Sequence, residues 1–249
     1  MIELKNIHVL FNKGTQIENH VLKGVDLQIK EGEFITVIGG NGAGKSTLMN
    51  VLTGDLIPNE GSVHIDGKDL TKVGTVQRSG QVTRIFQDPM IGTFAHLSIL
   101  ENLALATQRG LKRGLKCAVS NSSCEHFKTR LAKLNMGLEN RLNDQVSLLS
   151  GGQRQALSLV MATMQKAKIL LLDEHTAALD PKTAKLILHL TQEIVGQEKL
   201  TALMVTHSMT QALEFGTRTL VMKEGRIVRD LLGEKRKELN PVDLISLFD

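Results

Sequence analysis

Apolar runs and amphipathic segments alternate along most of the chain. Mostly apolar runs at residues 34–38 and 169–172 are typical of strands that are buried on both faces of a sheet. Before residue 30, apolar and polar positions alternate as in antiparallel strands. Leucines recur at helical spacing between residues 97 and 149. The pattern predicts an α/β fold, in which an antiparallel N-terminal sheet and a mostly helical insert accompany a core of parallel strands.

The other predicted elements fit one domain of 249 residues. The predicted strands and helices beyond those above are strands at 61–70, 82–86, 202–205 and around Leu220 and Ile227, and helices at 46–52, 150–164, after Pro181 and after Pro241. We divide this single domain (residues 1–249) into residues 1–86 with the N-terminal sheet and the first part of the core, residues 87–149 with the helical segment, and residues 150–249 with the rest of the core and the tail.

Composition narrows the possible settings of the protein. No unbroken apolar run exceeds four residues, so the sequence predicts no membrane span. Because residues 1–5 lack a signal-peptide apolar region, we expect a cytoplasmic protein. The net charge of +4 is only a weak indication of polyanion binding. With no tryptophan and no tyrosine, the chain has little to stack on bases, and we expect no nucleic-acid partner.

Residues 39–46 read GGNGAGKS and match the phosphate-loop pattern G-x-x-x-x-G-K-[ST] between a predicted strand and a predicted helix. Glycines let the backbone N–H groups turn toward a phosphate, and the helix start adds a positive dipole end. A glycine-rich turn without a ligand is the structural alternative. We expect Lys45 to reach the β- and γ-phosphates, Ser46 to bind Mg²⁺ and Thr47 to assist at the α-phosphate. The predicted ATP-binding residues of this segment are Gly39, Gly40, Asn41, Gly42, Ala43, Gly44, Lys45, Ser46 and Thr47.

Two adjacent carboxylates end the apolar run at 169–172. Ligands of open α/β sheets bind at the carboxyl ends of the strands, although an acidic pair there can also be simply solvated. We assign Asp173 to Mg²⁺ and Glu174 to the attacking water. His207 follows the next predicted core strand and is a candidate donor to the γ-phosphate, the alternative being a structural histidine.

Residues 149–153, LSGGQ, are the signature sequence of the ATP-binding cassette (ABC) proteins, and the chain resembles this family over essentially its whole length. The other family motifs occur in the expected order: the phosphate loop at 39–46, Gln87 of the Q-loop, the signature, Asp173-Glu174, the D-loop at 178–180 with Asp180, and the switch histidine His207. The resemblance implies a P-loop NTPase of the ABC-ATPase fold with a RecA-like parallel core, ATP and Mg²⁺ as cofactors, and Gln87 as a further catalytic residue and Mg²⁺ ligand.

The resemblance also implies a head-to-tail homodimer with two ATP molecules between the subunits. Ser150, Gly151, Gly152 and Gln153 then act on the ATP of the partner subunit. The residues agree, because a helix that begins at Ser150 with two glycines offers bare N–H groups to an anion. Family members stack an aromatic residue of the N-terminal sheet on adenine, and Phe11 is the nearest substitute for the usual tyrosine, unless it belongs to the core.

One position departs from the family pattern. His175 stands where proline is usual, beside the acidic pair, and either tunes the neighbouring carboxylate or faces the D-loop. The sequence around it resembles a subset of importer ATPases for amino-acid-type substrates.

Three classes of function are consistent with a cassette. The first is the ATPase subunit of a transporter, peripheral on the inner face of the membrane, with a separate permease and possibly an extracytoplasmic solute-binding protein. It is an importer subunit or, alternatively, the ATPase of a multi-subunit extruder. The second is a soluble DNA-acting cassette, but too few residues separate Lys45 from Ser150 for its long coiled coil. The third, a translation-associated protein, normally carries two cassettes in one chain.

Overall fold

The computed structural model describes residues 1–111 and 119–246. The strands are β1 (Ile2–Phe11), β2 (Asn19–Ile29), β3 (Phe34–Gly39), β4 (Glu60–Ile65), β5 (Lys68–Asp69), β6 (Val82–Ile85), β7 (Ile169–Asp173), β8 (Ala202–Val205), β9 (Arg218–Lys223) and β10 (Arg226–Leu232). The α-helices are α1 (Lys45–Thr53), α2 (Thr75–Arg78), α3 (Ile99–Ala106), α4 (Asn121–Ala132), α5 (Gly151–Thr163), α6 (Pro181–Gln197), α7 (Met209–Glu214), α8 (Glu234–Lys237) and α9 (Pro241–Ser246).

The larger sheet has the strand order β10-β9-β3-β8-β7-β6. All of its pairings are parallel except that of β10 with β9. The strands at its centre are buried along most of their length, which explains their apolar sequences. The predicted parallel core is therefore confirmed, and the carboxyl ends of β3, β7 and β8 meet at one edge of this sheet.

The smaller sheet contains the N-terminal strands in the order β2-β1-β4-β5, and its pairings are antiparallel. The antiparallel N-terminal sheet is thus confirmed. The single strand predicted at residues 61–70 is wrong, because the chain reverses there between β4 and β5. Asp66 and Gly67 have φ angles of 50° and 75°, and consecutive left-handed residues of this kind form the tight turn of a hairpin.

The helical segment packs on the opposite side of the larger sheet from the N-terminal strands. Phe127 and six of its described leucines share one hydrophobic cluster with residues of α5, α6 and the larger sheet, the leucines being Leu103, Leu131, Leu134, Leu138, Leu142 and Leu149. Two 3₁₀ turns, Leu138–Asn140 and Val146–Leu148, lead from α4 to the start of α5. In the described part of the chain, we find no helix with the length and apolarity needed to cross a bilayer.

Helices α5 and α6 approach each other closely at Gly152. A Cβ atom added there would lie 2.3 Å from Cγ2 of Thr183, in the first turn of α6. At Gly151, an added Cβ would meet Leu179 Cδ2 at 3.5 Å, an ordinary contact distance. The packing of α5 against α6 therefore requires glycine at position 152 but not at position 151.

We expect Gly152→Ala to lower the free energy of unfolding by about 1–3 kcal/mol, because the added methyl group overlaps the Thr183 side chain. Urea denaturation followed by circular dichroism measures the effect, and Gly151→Ala is the matched control with little loss. Adding Thr183→Ser removes the clashing methyl group and should restore stability. A double variant that is no more stable than Gly152→Ala alone would contradict this packing argument.

Candidate nucleotide-binding site

The phosphate loop connects β3 to α1 at the carboxyl edge of the larger sheet. Gly42 and Gly44 have φ angles of 77° and 99°, which L-residues with side chains rarely adopt. A Cβ at Gly39 would lie 2.5 Å from the carbonyl oxygen of Met222 on β9. The loop therefore needs glycine both for its own turns and for its close approach to the neighbouring strand.

An open cavity of about 500 Å³ lies over this loop. Its walls are Gly39, Gly40, Asn41, Gly42, Ala43, His207, Met209, Met222, Lys223 and Glu224. The first of these residues are the ones that the sequence assigns to phosphate binding. The cavity thus places the predicted switch histidine and the phosphate loop on one binding surface.

Lys45 is buried, with 6% of its surface exposed. Its Nζ donates hydrogen bonds to the carbonyl oxygens of Gly39 (2.8 Å) and Gly40 (3.1 Å). Burial lowers the pKa of the ammonium group, while the charges of Glu174 and Asp173 oppose that shift. The side chain therefore lies under the loop, between backbone carbonyls and the acidic pair. Ser46 is exposed and Thr47 is half-buried in the first turn of α1.

The acidic pair lies at the end of β7, of which Asp173 is the last residue, and Glu174 follows it. The Asp173 Oδ2 atom accepts a hydrogen bond from Arg84 Nη2 on β6 at 2.5 Å. Glu174 has a φ angle of 47°, and its N–H donates to the carbonyl oxygen of Val205 at 3.1 Å. A left-handed, non-glycine residue costs about 1–3 kcal/mol and persists where its surroundings fix it. Hydrogen bonding to the end of β8 fixes the backbone of Glu174 in this position.

His207 reaches Glu174 from the end of β8. Its Nε2 atom lies 2.6 Å from Glu174 Oε1, and its side chain is 49% exposed while that of Glu174 is 17% exposed. The structure therefore brings together Lys45, Asp173, Glu174 and His207, which the sequence places on three separate segments.

Arg84 is the residue of this site that the sequence analysis missed. Its side chain is 12% exposed and forms an ion pair with Asp173. A signal was present, because a lone arginine interrupts the apolar positions of a predicted core strand three residues before Gln87.

The positions of Gln87 and Phe11 test only some of the roles predicted for these two residues. Gln87 is exposed just beyond the end of β6, so its roles in catalysis and Mg²⁺ binding stay predictions. Phe11 is 41% exposed at the end of β1. The alternative in which Phe11 is a core residue is therefore wrong, and its stacking on adenine stays a prediction.

The signature residues begin α5 with a capping box. Ser150 Oγ accepts from the N–H of Gln153 at 3.2 Å, and Gln153 Oε1 accepts from the N–H of Ser150 at 3.2 Å. Ser150 and Gly151 are exposed. The side chain of Gln153 is thus engaged within its own subunit, and the S-x-x-Q spacing of Ser150 and Gln153 is the sequence signal of this capping box.

Asp180, predicted as the D-loop residue, is the N-cap of α6. Its Oδ1 atom accepts from the N–H of Thr183 at 3.1 Å. Hydrogen bonds from Thr183 hold the pKa of this carboxyl group below its usual value. The structure therefore gives Asp180 a role in starting the helix that follows the acidic pair.

His175 is 2% exposed and faces α6. Its Nε2 atom lies 3.1 Å from Thr191 Oγ1, and that hydroxyl donates to the carbonyl oxygen of Ile187. Because the hydroxyl hydrogen is used in this way, the Nε2–H group of the histidine is the donor to Thr191. The ring therefore anchors the segment after Glu174 to the middle of α6, while its two expected roles, tuning the neighbouring carboxylate or facing the D-loop, stay predictions.

The arrangement can bind a polyphosphate and activate a water molecule. A glycine loop at a helix start offers N–H groups to phosphate, Lys45 adds positive charge, and a carboxylate paired with a histidine can accept a proton. These features, at the carboxyl edge of a parallel sheet, define a P-loop nucleotide hydrolase.

The chain belongs to the ABC transporter family, because the model of the family described as ABC transporter matches residues 22–177. It is 36% identical over 251 residues to the tyrosine transport ATP-binding protein of Clostridioides difficile (strain R20291), an alignment that covers 100% of this chain and 99% of that protein. It is 37% identical over 213 residues to the thiamine import ATP-binding protein ThiQ of Escherichia coli (strain K12), with 86% of this chain and 87% of ThiQ covered.

Solved structures of cassettes share this fold. The ATP-binding cassette MJ0796, a dimer in a post-hydrolysis state bound to ADP and Pi, matches with a TM-score of 0.76 and 32% identity over 93% of this chain and 98% of that chain. CbiO1 from Clostridium perfringens, part of the ABC transporter complex cbiONQ, matches with a TM-score of 0.76 and 26% identity over 98% of this chain and 90% of that chain. The chain is thus a nucleotide-binding ATPase subunit of an ABC transporter.

His175 should make the stability of the protein depend on pH. Burial lowers the pKa of its imidazole from 6.5 to about 4, so the folded protein holds the neutral form. Below pH 6.5 the unfolded chain binds a proton that the folded protein excludes, and stability falls by about 1.4 kcal/mol per pH unit until pH approaches 4. Urea denaturation between about pH 7 and about pH 5 measures this loss.

His175→Gln keeps a donor near Thr191 without a titrating ring and should flatten that pH dependence. The matched control is His189→Gln, which changes an exposed histidine on α6, the helix that His175 contacts, and should retain the parental slope. Equal slopes for the parent and His175→Gln would show that another group causes the loss of stability.

Proposed function

We propose that this chain is the ATPase subunit of an importer for an amino-acid-like solute. In this proposal, a head-to-tail homodimer closes on two ATP molecules at the inner face of the membrane and drives a separate permease. The relative aligned over its full length is named as a tyrosine transport protein, and other relatives are named as import ATPases for thiamine and for spermidine and putrescine. These names support import of a small nitrogen-containing solute.

The dimer rests on the exposed start of α5. Its capping box uses the N–H groups of Ser150 and Gln153, which leaves that of the exposed Gly151 for an external anion. None of the signature residues is among the described residues that line the cavity at the phosphate loop. The anion for this helix start is therefore the γ-phosphate held by a second copy of the chain.

The metal ion fits the residues at the phosphate loop. A carboxylate at Asp173 and a hydroxyl at Ser46 are the oxygen donors that Mg²⁺ prefers, and Gln87 would add an amide oxygen. When bound, Mg²⁺ would neutralise charge on the phosphates of ATP.

The side chains of the site then divide the work of hydrolysis. Glu174 accepts a proton from the attacking water, and His207, hydrogen-bonded to Glu174, holds that carboxylate in place and faces the γ-phosphate. Lys45 leaves its loop carbonyls to contact the β- and γ-phosphates. Phe11 stacks on the adenine ring.

Glu174→Gln should bind Mg-ATP, lose turnover and accumulate as an ATP-bound dimer, because the water is no longer deprotonated. Light scattering and phosphate release measure the two effects. Adding Ser150→Asp keeps a good N-cap but places a negative charge before the γ-phosphate of the partner. This double variant should bind ATP and remain monomeric. A dimer that forms equally well with Ser150→Asp contradicts the head-to-tail arrangement, and turnover by Glu174→Gln at the parental rate contradicts the role of Glu174.

A groove next to the Q-loop supports docking of a permease. Its volume is about 600 Å³, and its walls come from β6, the residues after Gln87, α3 and α5. Apolar side chains at its mouth are exposed to solvent, with Phe94 at 59% and neighbouring Ile91 at 64%. Exposed apolar surface of this kind marks an interaction site, and a permease helix would fill it.

Phe94→Arg should separate the ATPase from its permease, because the charge makes the apolar groove unsuitable for a helix. The parent should co-purify a membrane protein. In proteoliposomes with the cassette outside, the vesicle lumen corresponds to the outside of the cell, so import means that ATP moves tyrosine out of the lumen. Phe94→Arg should bind ATP normally but lose co-purification and transport by at least about tenfold. Leu232→Arg is the control, since Leu232 is 50% exposed at the end of the edge strand β10, outside the groove lining.

The same experiment separates the alternatives. Movement of solute into the lumen would identify an extruder and contradict the proposed import. A parent protein that captures no membrane protein would indicate a soluble ATPase and contradict the transporter proposal. Normal transport by Phe94→Arg would contradict only the docking groove.

A further inference from the structure

The contacts of Arg84 connect the metal-binding carboxylate to two other parts of the site. Nη2 donates to Asp173 Oδ2 at 2.5 Å, and Nη1 donates to Asn50 Oδ1 on α1 at 2.7 Å. The guanidinium carbon lies 4.9 Å from the ring centroid of Phe86, the residue before Gln87. Both carboxylate and guanidinium are largely buried, with 15% and 12% of their side chains exposed.

These three contacts fix the orientation of the Arg84 side chain, whereas a single ion pair at the surface would leave it free to rotate. Its planar fork is held by a carboxylate, an amide and an aromatic face, while Asp55 Oδ2 lies 3.8 Å from Nη1. Solvent screens a pair of this burial less than an exposed pair, and the guanidinium of Arg84 directly contacts the carboxylate of Asp173. The hydrogen bond to Asn50 also fixes the distance of this charge from α1, the helix that follows the phosphate loop.

We propose that Arg84 is a positioning residue that holds one oxygen of Asp173 and offsets part of its charge, and thereby sets how strongly nucleotide binding depends on Mg²⁺. The inference rests on the assignment of Asp173 to the metal under the proposed function. Two adjacent carboxylates repel the phosphates of ATP, and a fixed cation beside them reduces that repulsion before any metal ion is bound. The same cation competes with Mg²⁺ for the negative potential of Asp173.

Removing this charge should therefore weaken nucleotide binding more without Mg²⁺ than with it. Without Mg²⁺, the phosphates face uncompensated carboxylates and affinity falls. With Mg²⁺, the divalent ion is attracted more strongly and restores most of the affinity. The ratio of the dissociation constant in EDTA to that in Mg²⁺ should rise by roughly tenfold when Arg84 becomes neutral.

The test measures this ratio by calorimetry with a β,γ-methylene analogue of ATP, at a concentration where light scattering shows only monomer. Neither hydrolysis nor dimer closure then contributes. Arg84→Gln keeps a neutral donor for Asp173 and should show the raised ratio. Arg84→Lys keeps the charge and should stay near the parental ratio. Arg84→Met removes the charge with an apolar chain and takes the place of the glutamine variant if that variant does not fold.

Arg130→Gln is the matched control. Arg130 forms a partly buried ion pair with Glu198, with 19% and 29% of the side chains exposed, at the end of α6 opposite its N-cap Asp180. This variant removes a partly buried ion pair away from the acidic pair, so the ratio should not change.

The possible results are distinguishable. An unchanged or lowered ratio in the neutral variants would overturn the proposal. An unchanged ratio with equal loss of affinity in both conditions would mean that Arg84 only stabilises the structure around Asp173. A parent protein whose binding does not respond to Mg²⁺ would contradict the metal role of Asp173 itself, and with it this inference. Failure of dimer formation or transport would affect neither measurement.

Discussion

The parallel register of three strands is the constraint on which this site depends. Val205 at the end of β8 pairs with Val37 on one side and with Asp173 on the other. Because the strands run in the same direction, the loop after β3, the acidic pair at the end of β7 and the histidine after β8 lie at one edge. A shift of one residue in either pairing would move Asp173 and Glu174 to the wrong faces of the sheet. The apolar side chains that fill both faces of β3, β7 and β8 therefore position the chemistry as well as stabilise the core.

Charge balance explains why the buried groups at this edge tolerate each other. Lys45 loses water by burial, and its hydrogen bonds to two loop carbonyls replace part of that hydration. The acidic pair acquires Arg84 on one side and His207 on the other. A nucleotide that enters the cavity brings negative charge into a site that already holds positive and negative side chains. The binding energy therefore depends on which contacts of Lys45 and of the acidic pair the phosphates replace.

Local patterns could predict those parts of the fold that depend on neighbouring residues in the chain. The phosphate loop is such a part, since its eight residues form the turn and start the helix themselves. The hairpin between β4 and β5 was missed although Asp66-Gly67 is the Asp-Gly pair that favours a two-residue hairpin turn. The positive φ angles of both residues confirm that turn. Arg84 was missed for a different reason. Its partner Asp173 is 89 positions away, and only the pairing of β6 with β7 brings the two side chains together.

The position of His175 illustrates how one residue links the acidic pair to the helix behind it. Glu174 adopts a left-handed conformation, and the chain then turns so that the next side chain enters the core instead of the solvent. A proline at this position would offer α6 no hydrogen bond, whereas the imidazole donates to Thr191 in the middle of that helix. The N-cap of the same helix is Asp180, and its first turn packs against the signature glycine Gly152. Contacts of α6 therefore join the segment after Glu174 to the start of α5, which faces the second subunit in the proposed dimer.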